Sequence, residues 1–292
     1  MKDTWTYPSL YHIKGTGNVT SPEYDYFNNL ELYPKFQLEF EQFKTQLLNL
    51  IESPTPSSIL RYGDGDHFFL KKQAIGSANP GARSLGVPYD QLNNHEDFIQ
   101  GVLENDLITA EIFVAARNYF EELYPEREID FPLEYIYGII ANKWLFKNFN
   151  HKKIGLIGAS EKLYVIEELM QHKEYQDYLQ INSFTDYIHF PQKFACDDID
   201  LVENFVSSQL KDSTSDVFLV GIGSAKLALL SRFKKYRNSL FLDVGCGIDA
   251  LAGCVNWTRP YFYDWTNFKL KNYNYNNIDY MGYTGKGKQI IL

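Results

Sequence analysis

Phe36, Phe40, Phe43, Leu47 and Leu50 recur at alternating steps of four and three, which lays one apolar stripe along residues 34–52 and predicts an amphipathic helix. Pro34 falls in its first turn, where a missing N–H is harmless. A Pro/Ser-rich connection, residues 53–58, follows, and Ile59 and Leu60 open a short strand over 59–62. Residues 72–94 carry Gly76, Ser77, Pro80, Gly81, Gly86 and Pro88 and read as a long loop, either a lid or binding loop or a plain insertion. Residues 95–122 and 132–149 read as helices, with Pro125 between them.

From residue 151 the pattern changes to short buried strands alternating with helices. Strands are expected at 153–158, 184–190, 216–220 and 240–244, and helices at 160–171, 197–210, 224–236 and 248–254. Such alternation predicts an α/β fold, a Rossmann-like parallel sheet with helices on both faces. The strand at 59–62 needs neighbours and is expected in the same sheet. The whole chain, residues 1–292, is then one domain, with an irregular N-terminal arm over 1–30 and an aromatic C-terminal tail over 256–292.

Composition narrows the function classes. Hydrophobic residues make up 45% and charged residues 22%, which is globular rather than disordered. A net charge of −9 speaks against a broad nucleic-acid footprint, so handling phosphate requires local Arg or Lys or a metal. The three cysteines, Cys196, Cys246 and Cys254, lack zinc spacing and read as reduced thiols of a cytoplasmic protein. The N-terminus shows no apolar core of a signal peptide, and no apolar run is long enough to span a membrane.

Four turns fall at expected carboxyl ends of strands, where open parallel sheets bind ligands. In Arg61-Tyr62-Gly63-Asp64-Gly65-Asp66 the glycines permit a tight turn that aims both carboxylates into one small volume. Two anions so close call for a cation, and oxygen ligands suit Mg²⁺ or Mn²⁺. Arg61 beside them suits a bidentate grip on phosphate. The same stretch also fits a surface turn whose aspartates cap the next segment. Gly221-Ile222-Gly223-Ser224-Ala225-Lys226 is a small-residue turn opening a helix, suited to phosphate or simply to close packing, and it lacks the Walker spacing. Gly158-Ala159-Ser160 reads as an ordinary N-cap. Asp243-Val244-Gly245-Cys246-Gly247 is reminiscent of an S-adenosylmethionine methyltransferase, but that fold carries its glycine motif on the first strand, and here little but an aromatic tail follows.

Together these motifs resemble the GT-D-fold glycosyltransferases. That family has an Arg-Phe-Gly-Asp-Gly-Glu turn, matched here by residues 61–66. It also has a glycine turn followed by Ala-Lys and a strand ending Asp-Ile-Gly-His, matched by Gly223-Ser224-Ala225-Lys226 and Asp243-Val244-Gly245-Cys246. The resemblance covers residues 59–68 and most of 150–255. It departs at Asp66, where the family has Glu, and at Cys246, where it has His. It implies metal-dependent transfer of a sugar from a nucleoside-diphosphate sugar, such as a UDP-sugar, to a glycan or glycoconjugate acceptor, as in polysaccharide biosynthesis. Asp64 and Asp66 are then expected to hold Mn²⁺ or Mg²⁺ against the diphosphate. Arg61, Gly63, Gly223, Ser224 and Lys226 are expected to bind the donor. Asp249 or Asp243 is expected to take the proton of the acceptor hydroxyl. Trp257, Tyr261, Tyr263 and Trp265 either line an acceptor groove or pack over the sheet edge. A nucleotide-binding module without transferase activity is the other reading of the same residues.

Overall fold

The computed structural model of the chain describes residues 33–72, 91–92, 94–110, 114–191, 194–255 and 260–275. The arm expected over 1–30 and most of the loop expected over 72–94 lie outside the described residues. Seven strands among the described residues form one all-parallel sheet in the order β3-β2-β1-β7-β6-β4-β5. They are β1 (Ser57–Tyr62), β2 (Leu107–Ala110), β3 (Phe131–Pro132), β4 (Ile154–Ala159), β5 (Asp186–Phe190), β6 (Val217–Gly221) and β7 (Leu240–Asp243). Ile59 lies opposite both Leu107 of β2 and Leu242 of β7. The strand at 59–62 therefore joins the sheet built by the C-terminal half.

Alternate strand residues feed two separate cores. Ile59, Leu107, Leu156, Leu219 and Leu242 enter one, covered by α1 (Tyr33–Ile51), α5 (Glu134–Ala141), α6 (Trp144–Asn148), α7 (Ser160–Leu169), α8 (Lys173–Leu179) and α11 (Gly247–Leu251). Leu60, Ile108, Ile157, Val220 and Phe241 enter the other, covered by α2 (Asp64–Leu70), α3 (His95–Leu103), α4 (Val114–Leu123), α9 (Ile199–Asp212) and α10 (Lys226–Leu229). Helices on both faces explain why β4 is buried along its whole length, as a continuous apolar run without alternation. After β1 the chain turns to the second face, into α2; after the neighbouring β7 it turns to the first, into α11. Adjacent parallel strands whose chains leave to opposite faces open a crevice at their carboxyl ends, where ligands bind in such sheets. No helix among the described residues is long and apolar enough to cross a membrane.

Three stretches expected as single helices are divided. Within 95–122, α3 gives way to β2 and then α4. The Asn105 side chain donates to the Gly101 carbonyl at 2.8 Å and stops α3, and all four residues of β2 are buried, so the strand shows no alternation to reveal it. Within 132–149, β3 begins the stretch, and α5 and α6 are separated at Lys143, whose φ of 60° is left-handed. Asn142 accepts the Trp144 N–H at 3.0 Å and so starts α6 afresh. Over 224–236, α10 is flanked by 3₁₀ turns at Gly223–Ala225 and Arg232–Lys235. α8 occupies residues for which the periodicity predicted no element.

Candidate functional site at the carboxyl ends of β1, β6 and β7

The Gly-Asp turn is less open than the sequence suggests. Gly63 is extended (φ −119°, ψ 178°) and serves as N-cap of α2. Its N–H donates to Asp66 Oδ2 at 2.9 Å, as the third residue of a capping box does. Asp64 and Asp66 are thus the first and third residues of a helix. The side chain of Asp64 lies outside what the structure describes.

Asp66 meets two residues from far along the chain. Lys226, the first residue of α10, places Nζ 3.0 Å from Asp66 Oδ2 and 2.8 Å from Asp243 Oδ2. It also donates to the Arg61 carbonyl. Asp243 Oδ2 additionally accepts the Arg61 N–H at 3.2 Å, and Oδ1 accepts the Gly245 N–H at 2.9 Å. The exposures of the Lys226, Asp66 and Asp243 side chains are 3%, 9% and 0%. One buried ammonium thus ties the ends of β1 and β7 to the turn after β6. Stripping water from charges is offset only by such short, multiply bonded contacts. Of the neighbouring donor candidates, Ser224 is buried and Gly223 is exposed with φ +60°, in a 3₁₀ turn leading to Lys226.

Arg61 works on the opposite face, since it shares its side of the strand with Ile59. The residue as a whole is half-buried, and its guanidinium lies against Gly245, where an added Cβ would come within 2.4 Å of Nη2, 2.6 Å of Nε and 2.7 Å of Cζ. Gly245 also has φ +47°, so both its backbone and its bareness suit glycine. Nη1 donates to the Tyr137 hydroxyl at 2.7 Å, and Nε is buried with no hydrogen-bond partner among the described residues. Burial works against the Arg61 charge, but Tyr137, Asp243, Cys246 and Asp66 outweigh it and hold the guanidinium's pKa well above its ordinary value. Tyr137 comes from the middle of a largely apolar helix, Glu-Tyr-Ile-Tyr-Gly-Ile-Ile-Ala, that also carries Tyr135, so periodicity marks it as core and nothing in the local sequence singles it out.

Asp249 stands outside the contacts of the Lys226 cluster. It sits on α11 and pairs with Lys162 of α7, Nζ to Oδ1 2.5 Å, both side chains largely buried. Burial opposes the Lys162 charge and Asp249 more than restores it, raising that pKa. Burial, reinforced by Asp249, pushes the nearby Cys254 thiol up to about 12. Of the two expected bases, Asp249 is the more accessible; Asp243 is wholly buried and its oxygens are engaged. Within Gly158-Ala159-Ser160, Ala159 is the N-cap of α7, without a side-chain capping bond, and the buried Ser160 hydroxyl has no partner among the described residues. Trp265 is 1% exposed and packs edge-on against Tyr178 at 5.1 Å, so it belongs to the core rather than to a groove. Trp257 and the side chains of Tyr261 and Tyr263 lie outside the described residues.

Among the described residues no group of three or more His, Cys, Asp or Glu is arranged to hold a metal ion. Asp66 and Asp243 are already neutralised by Lys226, so this donor set fits one ammonium rather than a resident divalent ion. Across the site, Arg61, Lys226 and Lys162 face Asp66, Asp243 and Asp249, with the buried Glu161 beside Lys162, so these described charges leave no cationic excess. Comparison with protein-family models, with curated proteins and with solved structures returned no match.

Proposed function

We propose that the chain is a glycosyltransferase that takes a nucleoside-diphosphate sugar at the carboxyl ends of β1, β6 and β7 and passes the sugar to a glycan or glycoconjugate acceptor. One observation carries this reading. Lys226 gathers three segments that are remote in sequence, the Arg61–Asp66 turn, the Gly223–Lys226 turn and the Asp243–Gly245 turn, beside the crevice where parallel sheets bind ligands. These are the segments through which the sequence resembles GT-D-fold enzymes.

In this reading Arg61 holds the diphosphate. A fixed, permanently charged donor stabilises the negative charge that builds on the leaving nucleoside diphosphate as the sugar departs. Asp249, still partly accessible, takes the proton of the acceptor hydroxyl. Lys226 keeps the strand ends in register rather than meeting phosphate, because two carboxylates already claim it. With no cationic excess at the site, a diphosphate needs a cation of its own. Mn²⁺ or Mg²⁺ therefore enters bound to the donor, as part of the substrate.

A second reading, a nucleotide-binding module, draws on the pairing of both expected bases, Asp243 with Lys226 and Asp249 with Lys162. A thermal-shift screen of nucleoside diphosphates with and without Mn²⁺ tests the site, because a ligand bound only by the native state raises the Tm by mass action. Release of nucleoside diphosphate from donor sugars then separates the two readings. Stabilisation with turnover supports the transferase, stabilisation without turnover supports the module, and no stabilisation refutes both.

A further inference from the structure

We infer that Tyr137 is the positioning residue of the Arg61 guanidinium, and that it sets how tightly the site holds a diphosphate. The inference rests on the reading in which Arg61 meets that group. An arginine side chain loses considerable rotamer freedom when it is fixed, so its grip on an anion depends on what holds it beforehand. Here three surfaces do so. Gly245 provides a bare floor, with no Cβ to push the guanidinium away. The Tyr137 hydroxyl accepts Nη1 at 2.7 Å. The Tyr137 ring lies 5.6 Å from Cζ, within cation–π range.

Tyr137 is itself well placed to serve as an anchor. It is 7% exposed, it belongs to the hydrophobic core on its face of the sheet, and its ring meets Phe262 edge-on at 5.4 Å. Phe262 lies in the 3₁₀ segment Pro260–Thr266, so the C-terminal part of the chain braces the residue that braces Arg61. The hydroxyl takes the outer nitrogen Nη1. Gly245 covers the Nε–Nη2 edge, an added Cβ there meeting Nη2 at 2.4 Å and Nε at 2.6 Å. Nε is buried and has no partner among the described residues, so packing and the bond to Tyr137 together fix the guanidinium. A phosphate oxygen would then be met by Nη2 rather than by Nε. Tyr137 would touch the guanidinium and not the ligand.

Calorimetric titration of the full chain with inorganic pyrophosphate in the presence of Mg²⁺ tests this, using Tyr137→Phe, Arg61→Met and the double variant. Tyr137→Phe keeps the ring, and with it the Phe262 and core contacts, while deleting the hydroxyl. Losing a hydrogen bond to a charged group corresponds to a weakening on the order of tenfold, with melting lowered by no more than a few degrees. Arg61→Met removes most of the affinity, and adding Tyr137→Phe to it changes nothing further, because the hydroxyl has no guanidinium left to position. Two results overturn the role assigned to Tyr137 alone: unaltered pyrophosphate affinity in Tyr137→Phe, or losses that multiply in the double variant as a general packing defect would make them. Absence of pyrophosphate binding by the wild-type chain overturns the diphosphate site itself, and the positioning role with it.

Discussion

Replacing Lys226 with Met is the sharpest perturbation of the site's architecture. Methionine keeps much of the side chain's length and apolar stem but deletes the ammonium. The Oδ2 atoms of Asp66 and Asp243, 3.0 and 2.8 Å from that nitrogen, are then left facing each other in a site where neither side chain is more than 9% exposed. Two unit charges about 5 Å apart at an effective dielectric constant of about 20 repel by roughly 3 kcal/mol. Breaking a buried ion pair by removing one partner costs about 3–5 kcal/mol, so the two estimates agree. In a chain of this size each kcal/mol moves the Tm by about 2–4 °C, so Lys226→Met is expected to melt roughly 6–20 °C below the wild type. Circular dichroism melts of Lys226→Met, Asp66→Asn and the double variant supply the assay. Removing one carboxylate together with the ammonium relieves the repulsion, so the double variant should melt above Lys226→Met despite carrying one more change. At a temperature where both chains are folded, nucleoside-diphosphate affinity should differ by less than about threefold, since each roughly 1.4 kcal/mol of binding is tenfold and the ammonium is already matched. A Tm within about 2 °C of wild type, or a double variant less stable than either single one, would show that the three side chains do not form a coupled buried unit. A large selective loss of diphosphate affinity would return Lys226 to the phosphate-binding role that its sequence position suggests.

Asp66→Asn alone is expected to lower stability by about 2 kcal/mol, seen as a lower denaturant midpoint, because it weakens both a helix cap and a buried pair; a midpoint equal to wild type would refute that. Gly245→Ala should reduce pyrophosphate affinity on the order of tenfold or more, since each roughly 1.4 kcal/mol is tenfold and the new Cβ would occupy the guanidinium's place while straining a left-handed residue; unaltered affinity would show that Arg61 does not depend on that floor. Mn²⁺ without nucleotide should leave the Tm unchanged while Mn²⁺ with a nucleoside diphosphate raises it, and a shift with Mn²⁺ alone would indicate a resident metal site instead. The imidazoles of His67, His95 and His189 all have pKa values lowered chiefly by burial, so the folded chain takes up these protons less readily than the unfolded chain, whose histidines titrate near 6.5. Their contribution to stability is complete above that pH and is lost as the pH falls through about 6.5 towards the lowered folded-state values, so the Tm should drop between pH 7.5 and 5.5; a Tm that rises over that window would contradict the sign.

Periodicity by itself determined the parts of this protein whose burial is governed by their own residues. The stripe of Phe40, Phe43 and Leu47 is a local pattern, and α1 buries those three side chains. The strand–helix alternation after residue 151 is equally local, and it yields a parallel sheet with a core on each face. The motifs at 61–66, 223–226 and 243–247 were also legible, because runs of glycine and charge stand out from an apolar background. What the sequence left open depended on partners distant along the chain. β2 carries no alternation, since the sheet buries both of its faces. The pairing of Lys226 with Asp66 and Asp243 joins β6, β1 and β7, and no spacing rule relates residues so far apart. Local reasoning therefore gave the ammonium to a phosphate and the carboxylate to a metal, whereas folding brings the two within reach of each other. Tyr137 is the plainest case. One of two tyrosines in a largely apolar helix, it looks like core until the sheet sets Arg61 beside it, because a side chain's role follows from its neighbours, and its neighbours are decided by topology.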